Sequence, residues 1–393
     1  MLAPVPMIGA VLALLLVVNI SAVQVLSQAP HPDLQFSLTD QGVIASDGER
    51  SWVAVRLLND QEAIELQPGD FIEEPDVVST RSTYRRFFER QALIVRILQS
   101  ENPRLETESG EVIPVTLHEE PLPASPGFWV QLFVGNIGLL VGAAVLAFQR
   151  SNMGARHLFV TGLGLSISAS AAAIYSSRPI AIDGETFQLL SNLNFLGVLV
   201  FCCGFLCLMW NYPKPVFNRR IAPGWYLLML AVFLVDAFAL IESMDLTRRI
   251  PPVATLIMAA AMLVVQWRHS EGDPLTRQSL RWFVFVTLSG STFFTLFILV
   301  PPLFRLELVV SQAAAFLAFL TIYVGLAVGV ARYPLFDLQQ YWMKSLIWLA
   351  GALLVIAVNL AIVSVLGLSG STAIWMLLAS LLVVAIPLKI AGT

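Results

Sequence analysis

The chain has 393 residues, of which 57% are apolar and only 13% charged, and it carries a formal net charge of −4. A soluble globular domain holds about 25% charged residues, so most of this surface must meet lipid rather than water. The acidic balance excludes an electrostatically held nucleic-acid partner, and three cysteines clustered in one apolar run exclude a disulfide framework.

The first apolar run, residues 7–27, is long enough to cross a hydrocarbon core, which needs roughly 20 residues of helix. Ser27-Gln28-Ala29 has the small residues a signal peptidase favours, but no Lys or Arg precedes the run, so residues 1–27 read as an uncleaved signal anchor. Residues 28–126 are the polar exception. Trp52 to Leu57 alternates as a strand, Leu66-Gln67-Pro68-Gly69-Asp70-Phe71-Ile72 is a turn feeding another, and Thr80 to Gln91 is helical with Tyr84, Phe87 and Phe88 on one side. Ala92–Leu98 and Glu111–Leu117 read as two closing strands, and Pro121, Pro123 and Pro126 as a stiff link to the second span. Arg81, Arg85, Arg86 and Arg90 read as a solvated helix face paired with Glu73, Glu74 or Asp76, the alternative being a seat for an anionic ligand or lipid headgroups.

Nine further apolar runs fill residues 127–393, at about 128–148, 157–176, 189–210, 224–241, 252–267, 282–301, 309–331, 345–366 and 372–390. Alternate short loops divide the basic residues unevenly. One set holds eleven, from Arg150, Arg156 and Lys214 through Arg268 and Arg277 to Lys389, while the other holds only Arg178, Arg248, Arg249 and Arg305. Lys and Arg favour the cytoplasmic side, which places residues 28–126 outside and both termini inside.

Ionisable and amide side chains inside spans are costly and mark function or interhelical bonding. Asp236 stands out, with Gln131, Asn136, Asn192, Asn194, Gln312 and Asn359, as candidate lining of an outward-facing ligand pocket. Gly162, Gly164, Ser166, Ser168, Ser170 and the alanines that follow form a close-packing seam, not a nucleotide loop. Cys202, Cys203 and Cys207 read as buried, reduced packing residues. The sequence points to no metal and no cofactor.

Two stretches on the basic side are distinctive. Asp273–Trp282 enters the seventh span, and Arg332–Leu338 precedes the ninth; each reads as an amphipathic hinge at the inner interface, with Trp282, Tyr333, Trp342 and Trp348 in the aromatic belt.

The Leu66–Ile72 turn ahead of a helix and closing strands resembles a PDZ-like domain, which implies a peptide groove built from Leu66, Pro68, Gly69, Asp70, Phe71 and Ile72. Arg277, Gln278, Arg281 and Trp282, together with Tyr333, Leu335, Phe336 and Asp337, resemble the paired motifs of multi-span bacterial sensor histidine kinases of the competence-pheromone type; Pro334 and Gln339 depart from that pattern. In that family a PDZ-like domain often follows the first span, and the two motifs couple the spans to a cytoplasmic kinase. The resemblance implies a bacterial inner-membrane location, a homodimer, a small-molecule or peptide signal, and an output through a kinase domain or response regulator.

None of His31, His118, His157 and His269 stands in a phosphoacceptor setting, and no glycine-rich ATP-binding segment follows the last span. The expectation is therefore a polytopic α-helical membrane protein of about ten spans, with one small α+β PDZ-like extracytoplasmic domain and no catalytic core in this chain. It would act as a signal-sensing module. The rival readings are a transporter that uses Asp236 and the span amides as a path, and a PDZ-like scaffold for exported peptides.

Overall fold

The computed structural model describes residues 5–28, 31–39, 42–67, 70, 80–118, 125–176, 182–212, 215–216 and 221–270, and a broken series between 277 and 323. Pro68, Gly69, Phe71, Ile72, Gln278, Trp282, Gln312, Tyr333, Leu335, Phe336, Asp337 and Asn359 lie outside the described residues, as do Glu73, Glu74 and Asp76. So do most of the four last apolar runs.

The chain is a multi-pass helical membrane protein. Five helices are long and apolar enough to span: Met7–Leu26 within α1 (Val5–Gln28), α3 (Pro126–Phe148), α4 (Met153–Ser176), α5 (Gly184–Asn211), and Asp245–His269, which comprises a π-helical turn and α7 (Ile250–His269). The shorter α6 (Ile221–Ala237) runs between α5 and that turn. The first six apolar runs of the sequence thus fall on helices. The fifth ends at Ala237 rather than 241, and the sixth begins seven residues earlier than the pattern predicts.

Local chemistry sets the helix starts. Ser125 caps α3, accepting from the Phe128 amide at 3.2 Å, with Pro126 in the first turn, where its missing N–H costs nothing. Asp183 caps α5, accepting from the amides of Glu185 at 3.1 Å and Thr186 at 2.9 Å. Burial raises the Asp183 pKa, but the Thr186 and Glu185 donors outweigh it, and the carboxyl titrates below its ordinary range.

Helix α4 lies between α3 and α5, and glycines bring the backbones close in the seam. A Cβ on Gly142 would stand 2.8 Å from the Phe159 Cα, and one on Gly164 2.7 Å from the Gly197 carbonyl. Only hydrogen fits there, as the small-residue pattern predicts. Outward faces carry exposed Leu14, Val17, Leu227, Ile257 and Val264, which suits lipid. Cys202, Cys203 and Cys207 are buried and free, as expected.

The polar domain is an antiparallel sheet in the order β2-β3-β4-β6-β7 crossed by one helix. Its strands are β2 (Gln35–Thr39), β3 (Gly42–Ser46), β4 (Ser51–Leu58), β6 (Arg104–Thr107) and β7 (Val112–Pro114); β5 (Ala63–Glu65) also pairs with β4, and β1 (His31–Pro32) pairs with β8 (Leu117–His118). Helix α2 (Arg81–Leu98) overturns one expectation: Ala92–Leu98 continues the helix instead of forming a strand. The β-branched Ile94, Val95 and Ile97 match strand composition, but Tyr84, Phe87, Phe88, Gln91, Ile94, Val95 and Leu98 recur at helical spacing and are all buried.

Helix α2 serves two cores. Ile94, Ile97 and Leu98 pack beneath the sheet with Leu57, Leu66 and Leu105. Tyr84, Phe87 and Phe88 belong instead to the core of the membrane bundle. Phe87 and Phe88 meet Phe187 of α5 edge-on at 5.6 and 5.5 Å between centroids. Burying each of these rings stabilises the joint by roughly 1.5–3 kcal/mol. The domain is therefore seated on one end of the bundle, at the α5 N-terminus and the α6 C-terminus.

Candidate functional site

The joint between α2 and the bundle holds a buried charge cluster. Asp236, 1% exposed, sits at the C-terminal end of α6. A carboxylate there opposes the helix dipole, so it must be held by other groups. Arg81, the first residue of α2, donates Nη2 to Asp236 Oδ1 at 2.5 Å and also to the Asp236 backbone carbonyl. Arg248 donates Nε to Asp236 Oδ2 at 3.0 Å, and the Thr247 hydroxyl donates to Oδ1 at 2.7 Å.

Arg248 is itself fixed on every side. Its Nη1 donates to Ser191 Oγ at 2.9 Å and its Nη2 to Asn192 Oδ1 at 2.6 Å, both on α5. Its guanidinium lies 4.7 Å from the centre of the Tyr84 ring and 5.1 Å from that of Phe195. The Tyr84 hydroxyl donates to Ser191 at 3.1 Å. One carboxylate thus ties the soluble domain, through Arg81, to α5 and to the head of α7, through Arg248. The π-helical turn Asp245–Arg249 presents Arg248 inward, and Asp245 pairs with Arg249 within it.

Outside this cluster the contact is main-chain. Arg81 N–H donates to the Glu242 carbonyl at 2.9 Å, Thr80 bridges to Ser243 as an isolated β-pair, and Ser82 N–H donates to Glu242 Oε1 at 3.0 Å. The Ser82 amide holds the exposed Glu242 carboxyl below its ordinary 4.5, with Arg81 and Arg85 assisting. Ala239, in the loop after α6, has φ +52°, a left-handed conformation that costs a residue with a Cβ roughly 1–2 kcal/mol. Between α2, α5 and this loop opens a cleft of about 310 Å³, walled by Arg81, Arg85, Glu89, Glu185, Asn192 and Asp236 among others.

The expected pocket residues divide. Asp236 and Asn192 come together through Arg248. Gln131 donates to Ser176 at 2.9 Å; Asn136 and Asn19 of α1 form a reciprocal pair at 3.0 and 3.1 Å; Asn194 accepts from Ser168 and donates to the Tyr175 hydroxyl at 2.6 Å. These three are separate links between helices. Of the predicted groove residues, Leu66 packs in the sheet core and Asp70, 2% exposed, is bound by Arg90 at 2.7 Å through both Nε and Nη2. That hydrogen bond to Asp70 raises the Arg90 pKa. The basic face of α2 is the solvated stripe that its sequence predicts only in part: Arg85 and Arg86 are exposed, but Arg81 turns into the bundle and Arg90 onto Asp70.

Sequence reasoning passed over Arg248. The available signal was its position, since a basic residue on the side poor in Lys and Arg, directly before an apolar run, needs a partner. From Arg248 the 20 residues of α7 cover roughly 30 Å to the other end of the bundle. There Gln266 donates to the Met209 carbonyl at 3.0 Å, and the guanidiniums of Arg277 and Arg281 lie 4.7 and 5.6 Å from the Trp267 ring centre. Two of the eight residues in the paired motifs therefore meet the helix that begins at the charge cluster.

Among the described residues no group of three or more His, Cys, Asp or Glu is arranged to hold a metal ion. No protein-family model, curated protein or solved structure matches the chain.

Proposed function

We propose that the chain is a signal-sensing membrane module. Its exported domain, seated on the bundle through α2, reports ligand occupancy at the joint to the opposite end of α7. The carrying observation is the Asp236 carboxylate shared between Arg81 of the domain and Arg248 at the head of α7. Any ligand that moves Arg81 changes the charge balance around Arg248. The α7 helix then carries the displacement to Trp267, Arg277 and Arg281. A ligand drives this change only by binding one arrangement better than the other.

In this reading the domain faces the outside of a bacterial inner membrane, and the basic ends of the helices face the cytoplasm, as the Lys and Arg bias favours. The receiver is a histidine kinase domain or its response regulator, engaged by a homodimer, as the resemblance of the Arg277 and Tyr333 motifs implies. The PDZ-like reading of the domain rests on its sequence resemblance, with β6 and β7 after α2 as the closing strands in place of the predicted Ala92–Leu98. The dispersal of Gln131, Asn136 and Asn194 into separate helix pairs speaks against the continuous polar path a transporter needs.

The test uses the full chain in nanodiscs, with spin labels at Arg150 and Arg268, two exposed positions at the far end of α3 and α7. Arg81→Gln, the length of α7 away at roughly 30 Å, is expected to shift the distance distribution between them. An unchanged distribution, with α2 shown by amide exchange to be loosened, would refute outside-to-inside coupling.

A further inference from the structure

We propose that the cleft at the joint binds a small zwitterion, an anionic group joined by a short link to a primary ammonium, of which phosphoethanolamine is the simplest form. The inference names the ligand class of the sensing site proposed above and rests on that reading for what occupancy would signal. Binding itself stands on the cleft alone.

Charges of both signs line the cleft. Arg81 and Arg85 lie at one end of the cleft, Glu89 and Glu185 at the other, and Asp236 beside Arg81 is matched by Arg248. The wall itself presents two guanidiniums, Arg81 and Arg85, and three carboxylates, Glu89, Glu185 and Asp236, so a pure anion or a pure cation gains at one end what it loses at the other. A molecule with both signs gains at both. Arg81, Arg85 and Glu89 follow at four-residue steps on one face of α2, each step about 6 Å along the axis, which sets the separation of charges that fits.

One guanidinium, that of Arg85, stands exposed at the basic end. Arg81 Nε is buried and makes no hydrogen bond among the described residues, although Nη2 of the same group is fully used. Arg85 forms no ion pair among them and feels the Glu242 carboxylate only at a distance. A phosphate or carboxylate oxygen would be met by the open Arg85 guanidinium, while Arg81, whose Nε is closed off from solvent, contributes its charge from within the wall. The volume, about 310 Å³, lies at the small end of the range for ligand pockets and suits a headgroup rather than a longer chain. The cleft lies at the ends of α5 and α6, where the outward-facing helices meet the headgroup layer. The same chemistry is thus on offer from a free metabolite or from an ethanolamine lipid.

The experiment uses the full chain in nanodiscs of phosphatidylglycerol alone, titrated calorimetrically with phosphoethanolamine, inorganic phosphate and ethanolamine. A parallel arm measures retention of phosphatidylethanolamine doped into the discs, by native mass spectrometry. Saturable binding of phosphoethanolamine identifies a soluble source; retention of the lipid alone identifies a headgroup source. In either arm Arg85→Gln and Glu185→Gln, both at accessible positions, are each expected to weaken binding about tenfold, the scale of one charge-assisted hydrogen bond. Phosphate or ethanolamine binding as tightly as the joined molecule overturns the proposal, as does binding in neither arm or binding indifferent to both substitutions. Binding that leaves the Arg150–Arg268 distances unmoved would remove the sensing role and keep the site.

Discussion

Replacing Asp236 with Asn keeps the shape of the side chain and removes its charge. The wild-type carboxylate accepts from Arg81, Arg248 and Thr247, and Arg248 is only 3% exposed. Breaking a buried ion pair by neutralising one partner costs about 3–5 kcal/mol, because the remaining charge stays buried. Arg248 retains Ser191, Asn192 and the faces of Tyr84 and Phe195, so the low end applies. A loss of about 3 kcal/mol lowers the ratio of docked to undocked domain by roughly two decades. Arg81→Gln leaves Asp236 its bonds to Arg248 and Thr247 but removes the charge-assisted bonds from Arg81 to its carboxylate and its carbonyl, and should cost about 1.5–3 kcal/mol. The double variant should cost less than the two together, since both remove the same bond. The assay is amide hydrogen exchange of the full chain in nanodiscs. Protection should fall across the first half of α2 and the Asp245–Arg249 turn, and stay unchanged in β4 and β6. If α2 exchanges in Asp236→Asn as in the wild type, the carboxylate does not hold the domain down. If the whole bundle loses protection together, its role is general packing.

A Cβ on Gly184 would stand 2.7 Å from the Phe88 carbonyl. Gly184→Ala should therefore lift α2 from α5 at an overpacking cost of about 1–3 kcal/mol, without touching a charge; proteolysis of α2 at the wild-type rate would show the contact to be slack. Glu242 titrates below its ordinary 4.5 when it accepts the Ser82 amide. Its contribution to docking is complete above that value and is lost as pH falls through the lowered one. Spin labels at Arg86 and Leu240 should separate in that acid window, and Glu242→Gln should flatten the response; acid insensitivity in the wild type would discount the contact. Gly164→Ala sets a Cβ against the Phe201 backbone and the Gly197 carbonyl, and should lower stability by about 1–3 kcal/mol, read as a reduced Tm in detergent. An unchanged Tm would mean that α4 and α5 have room to separate.

Features carried by composition were readable in the chain itself. Six apolar runs became helices because backbone in lipid has no other way to pair its polar groups. The glycines of α4 proclaimed a close seam, and Asp236 drew notice because a carboxylate inside an apolar run has few innocent uses. The partners of Asp236 were not readable. Arg81 lies 155 positions away and Arg248 sits in the π-helical turn before α7, and nothing local in either says that they converge. The same limit explains the Ala92–Leu98 misreading. Branched residues favour strands when judged alone, and only the burial of a helical face across both cores decides otherwise. The orphaned Nε of Arg81 and the charge order along the cleft exist only once α2 and α5 are side by side.

The seam of α4 has a mechanical corollary. Helices α3, α4 and α5 touch backbone to backbone at Gly142, Gly162, Gly164 and Gly197, so sliding any one of them forces main-chain collisions. The trio behaves as a fixed post. Helix α6 and the helix headed by Arg248 meet that post through side chains instead, among them the Arg248 bonds to Ser191 and Asn192. A substitution at that outer contact alters one side-chain pairing, whereas one in the glycine seam displaces main chain.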